Sequence, residues 1–73
     1  MDVLEVLKRN NLGLEIMNEC IKQARHYIKK RKPDIANQYT TLAMKAREIE
    51  TYKEMQYYKV VLESLNFVNS LEK

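Results

Sequence analysis

Lys22, Arg25, Lys29, Lys30, Arg31 and Lys32 put six cations into one eleven-residue run with no acid. The chain carries 13 Lys and Arg against 10 Asp and Glu, so its net charge of +3 resides entirely in this segment. Lys22, Arg25, His26 and Lys29 are spaced three and four apart and share one helix face. A focused basic patch attracts phosphate by Coulomb force and counterion release, so nucleic acid is one candidate ligand. An acidic protein surface is another. Cations near a helix C-terminus also complement its dipole and keep a small protein soluble, and that plainer reading stays open. Tyr27 beside the patch offers a stacking ring, although its phase lies nearer Ile28. No recognition-helix turn, zinc-finger spacing or aromatic RNA-binding strand accompanies the patch.

Other reactive side chains form no catalytic pattern. Cys20 is the one cysteine, beside Met17 and Ile21, and is expected to be a buried, inert thiol. His26 lies six residues on, about 120° further around the helix, too far for a Cys–His pair. Glu48, Glu50 and Glu54 would need partners from another helix to work as acid and base or to hold metal. The Glu-x-x-His signature of di-metal bundles is absent, because Gln23 stands three residues before His26. There is no glycine-rich phosphate loop. The reading is therefore a non-enzyme with no catalytic residue, cofactor, metal or small-molecule substrate.

One glycine and one proline among 73 residues exclude the frequent turns of an all-β domain. Positions 3, 7, 10, 14, 17, 21, 24 and 28 alternate steps of four and three, and all but Asn10 are apolar, against 45% for the whole chain. That excess predicts a helix packing on a helix from about 2 to 31, with Asn10 to Gly13 the place where it would break. Pro33 steers the preceding residue from helical geometry and suits a first helical turn, followed by Asp34 at the positive end of the dipole. A tight turn at 32–33 makes the flanking helices antiparallel neighbours.

The apolar pattern resumes as Ile35, Tyr39, Leu42, Ala46 and Ile49, flanked by Ala36 and Ala43. A later stripe, Tyr58, Val61, Leu62, Leu65 and Val68, is about half a turn out of phase. The simplest reading is one helix from 34 to about 71 whose apolar surface walks around through Tyr52 and Met55. The alternative is a break near 51, where Thr51-Tyr52-Lys53-Glu54 has the form of a capping box opening a third helix. Leu42-Ala43, Lys45-Ala46, Glu48, Tyr52-Lys53-Glu54 and Tyr58 resemble the helix pairs of tetratricopeptide and of microtubule-interacting-and-trafficking modules. Those modules place a glycine or asparagine turn between the alanine and the first tyrosine. This chain has none and its gap is shorter, so no function is carried over.

The expected fold is all-α: a single domain, an antiparallel helical hairpin, dimerising into a four-helix bundle because so short a chain has a marginal core. Tyr52, Met55, Tyr58, Val61, Leu62, Leu65, Val68 and Leu71 are the expected oligomer or partner interface, left incompletely covered by a shorter first helix. Five tyrosines suit an interface. No segment is apolar enough to span a membrane. The acidic, amphipathic start, Met1-Asp2-Val3-Leu4-Glu5, is wrong for a secretory signal, and the lone thiol fits a reducing compartment, so a cytoplasmic location is expected. The function read from these features is an adaptor or regulator that self-associates and binds a protein partner. The alternative is a nucleic-acid-binding regulator using Lys22–Lys32. Tiny bundles of this sort are common among virus and mobile-element products.

Overall fold

A computed structural model describes residues 3–71 of the chain as three helices: α1 (Val3–Lys29), α2 (Pro33–Arg47) and α3 (Tyr52–Ser70). The expected start of the first helix at residue 2 lies outside the described residues. No strand occurs among them, and no helix is long and apolar enough to cross a membrane. The molecule is a rod of 43 × 17 × 14 Å.

α1 runs unbroken through Asn10 to Gly13, where Gly13 lies against Met55 of α3. It ends because Arg31 takes a left-handed backbone conformation, φ 60°. The Lys32 amide then donates to the Tyr27 carbonyl (2.8 Å) and the Arg31 amide to the Ile28 carbonyl (3.0 Å), the paired bonds of a Schellman stop. Pro33 opens α2 at its first helical position, where a missing N–H costs nothing.

The expectation of one helix from 34 to 71 is corrected. The chain turns a corner at 48–51, and Thr51 caps α3 by accepting from the Glu54 amide at 3.3 Å. The Arg9 guanidinium fastens this corner to α1 by donating to the Glu50 carbonyl at 2.9 Å. α3 thereby folds back beside α1, where Lys59 meets Glu15 at 2.7 Å. The result is an up-down-up bundle in which α1 packs most extensively on α2 and less on α3.

The core is Ile16, Cys20, Ala24 and Tyr27 of α1, Ala36, Tyr39, Leu42 and Ala46 of α2, and Met55 and Leu62 of α3. The α2 residues are those the sequence pattern selects. Tyr27 and Tyr39 stack at 6.0 Å, and the Tyr39 hydroxyl is held between Asn66 and Asn69. The α1 expectation needs correction: of its eight regularly spaced positions only Ala24 is buried. The helix uses a neighbouring stripe, Ile16-Cys20-Ala24-Tyr27, to build the core.

A candidate interaction surface

The rejected stripe on α1 is what the fold leaves uncovered. Leu7, Leu14, Ile21 and Ile28, each seven residues apart, are 53%, 61%, 45% and 61% exposed. Seven residues are almost two helical turns, so the four form a straight ladder about 10 Å per rung along one side of α1. Val3 and Leu4 continue it. At its middle, Leu14 and Met17 join Ala46, Arg47 and Ile49 to line an open groove between α1 and the end of α2. Arg47 and Glu48 of this groove also border exposed Met44.

A second uncovered strip lies on α3. Met55, Leu62 and Asn69 face inward, again seven apart. Tyr57, Val60, Phe67 and Leu71, about half a turn away, are all exposed. α3 thus carries apolar side chains on its outer face, among exposed Lys53, Gln56 and Ser64, as well as on its inner face.

This changes the expected interface. Met55 and Leu62 belong to the core, and Tyr58, Val61 and Leu65 pack partly buried against it. Tyr52 is half-buried, and of that set only Val68 and Leu71 are open. The corner at 48–51 lays α3 back on α1 and α2 and so covers a stripe that one continuous helix would leave open.

The basic residues Lys22, Arg25, His26, Lys29, Lys30, Arg31 and Lys32 are all exposed at one end of the rod. Lys59–Glu15 is the ion pair found among the described residues, so none of the seven belongs to one. Lys22, Arg25 and Lys29 fall beside the Ile21–Ile28 part of the ladder by helical phase. Tyr27 is buried, with the His26 ring edge-on at 5.0 Å, so it offers no ring to a nucleic-acid base.

Burial, with the neighbouring Glu19 charge, pushes the Cys20 thiol up to about 11. It is protonated and shielded at neutral pH, which makes it a poor nucleophile. Burial likewise raises the Tyr39 phenol above its ordinary value. The hydrogen bond to Glu15 raises the Lys59 ammonium. Among the described residues no group of three or more His, Cys, Asp or Glu side chains is placed to hold a metal ion. Comparison with protein-family models, curated proteins and solved structures finds no match to this chain.

Proposed function

We propose that this protein is a non-enzymatic adaptor or regulator that self-associates and binds a protein partner through its helical faces. One observation carries the reading: among the described residues twelve large apolar side chains are exposed, against ten buried residues in the hydrophobic core. Ten of the twelve are ordered into two helical strips, on α1 and on the outer face of α3, and ordered apolar surface of this extent marks protein contacts. The outer face of α3 is the partner site, centred on Phe67. A cytoplasmic setting belongs to the same proposal, supported by the unpaired thiol of Cys20.

The test is a photo-reactive amino acid at Phe67, irradiated in the producing cells. A discrete adduct with a second protein, absent when Val60 and Leu71 are changed to Ser, supports the reading. Absence of any discrete adduct counts against it.

A second reading, nucleic-acid binding at Lys22–Lys32, is favoured by Arg31. A left-handed position suits glycine, yet the residue there is an exposed arginine that adds a cation to the run. Fluorescence anisotropy with short duplex DNA and with RNA decides it. Binding that weakens steeply with salt and vanishes when Lys22, Arg25 and Lys29 become Glu would promote this reading. No binding at low salt removes it.

A further inference from the structure

We infer that the α1 ladder is covered by the α1 of a second copy of this chain, packed antiparallel about a two-fold axis crossing the helix near Asn18. The inference rests on the self-association proposed above and names its surface and geometry. Three observations support this occupant.

The first is the spacing. Leu7, Leu14, Ile21 and Ile28 repeat at seven residues, which keeps one side of a helix against another straight helix over nearly its whole length. A groove for a short peptide or a loop does not require four rungs in one line. The second is symmetry. A two-fold near Asn18 sets Leu7 against the partner's Ile28 and Leu14 against the partner's Ile21, so one strip satisfies itself in an isologous contact. The ladder, with Val3 and Met44 at its margins, offers on the order of 500 Å² of apolar surface per chain, and flanking polar residues bring it toward the ~800 Å² per partner of a standard interface.

The third is charge, which sets the direction. Lys22, Arg25 and Lys29 border the ladder and carry no ion pair. A parallel dimer would set each against its own copy and join two runs of six cations at one end. The antiparallel arrangement sets Arg25 opposite the partner's Asn11 and Lys22 opposite the partner's Glu15. The helix dipoles also oppose. Like charges remain where Lys8 falls between the partner's Arg25 and the partner's Lys29, near the solvated ends. The ladder borders α2 rather than α3, so the dimer leaves Phe67 and its neighbours free for another protein.

Sedimentation equilibrium of the full chain from about 1 to 500 µM, with circular dichroism of each variant, tests the inference. The wild type should be dimeric, and Leu14→Asp with Ile21→Asp should weaken the dimer about 100-fold or more without loss of helix, because both side chains are exposed in the monomer. A monomeric wild type, or a dimer indifferent to these changes, overturns it. Direction is read in a Cys20→Ala background by disulfide trapping. Asn18→Cys, beside the axis, should cross-link quickly. Asn11→Cys should not, since antiparallel pairing holds the two copies about 20 Å apart. Equal cross-linking at both positions overturns the antiparallel arrangement. A monomer would remove the dimer alone; partner binding through α3 stands or falls separately on the Phe67 adduct.

Discussion

The Tyr39 hydroxyl on α2 donates to Oδ1 of Asn66 on α3 across 2.8 Å, and accepts from Nδ2 of buried Asn69 at 3.3 Å. These bonds join two helices that otherwise touch little. Tyr39→Phe keeps the ring and its stack on Tyr27 but strands the Asn69 amide in the interior. The expected loss is about 1–3 kcal/mol in urea unfolding. Changing Asn69 to Ala as well should cost less than the sum of the two single changes.

Gly13 lies in the middle of α1, and an added methyl would meet Met55 Cε at 3.5 Å, an ordinary contact. Gly13→Ala should therefore raise stability by about 0.5–1 kcal/mol, read as a higher urea midpoint with an unchanged slope.

Arg31 is the non-glycine residue held at positive φ among the described residues. Arg31→Gly should stabilise the fold by roughly 1 kcal/mol, because glycine pays no Cβ penalty there. If the basic end binds nucleic acid, the same variant binds more weakly while melting higher. A melting temperature that falls would contradict the Schellman stop described above.

The Cys20 thiol ionises near its ordinary value of 9.0 in the unfolded chain and at about 11 when folded. Its neutral form thus supports folding fully below pH 9, and that support fades as pH rises from 9 toward 11, where the unfolded chain binds fewer protons. The raised Tyr39 phenol acts in the same direction at the upper end. Cys20→Ala should flatten the fall in stability over this window. At pH 8 a thiol reagent should modify the native protein only as fast as it opens.

Leu62 is 1% exposed and Val68 is 54% exposed, although both belong to the stripe expected from sequence to form an interface. Leu62→Asp should unfold the chain, because it buries an unpaired charge. Val68→Asp should leave the circular dichroism spectrum intact.

The sequence pattern read α2 well. Ile35 to Ile49 form one apolar stripe, and that stripe is the face in the core. α1 was read correctly as a helix but with the wrong face inward. It carries two overlapping stripes, and periodicity locates both without saying which will meet α2. The regular one, through Leu7 and Ile28, includes most of the large aliphatics, so it looked like the core. The actual choice depends on where α3 lands. That in turn depends on a corner containing no glycine or proline. Its sole local sign is the Thr51-x-x-Glu54 pattern, together with the phase slip between Ile49 and Tyr58. The basic end was legible as a cluster because charge runs need no tertiary information. The exposed strip of α3, with Val60 and Phe67, is hard to see in the sequence because polar residues interrupt it, whereas the internal stripe through Tyr58, Val61, Leu62 and Leu65 is denser.

The first core residue of α1 is Ile16, and the turns before Leu12 lie along the Glu50–Thr51 corner and the end of α2 without entering the core. Opening those turns exposes almost no buried surface, so in a lone chain their amides should trade deuterium within seconds, while those of Ile16 to Tyr27 wait for global unfolding. Slow labelling at Leu7 would report that something outside its own chain holds the start of the helix shut.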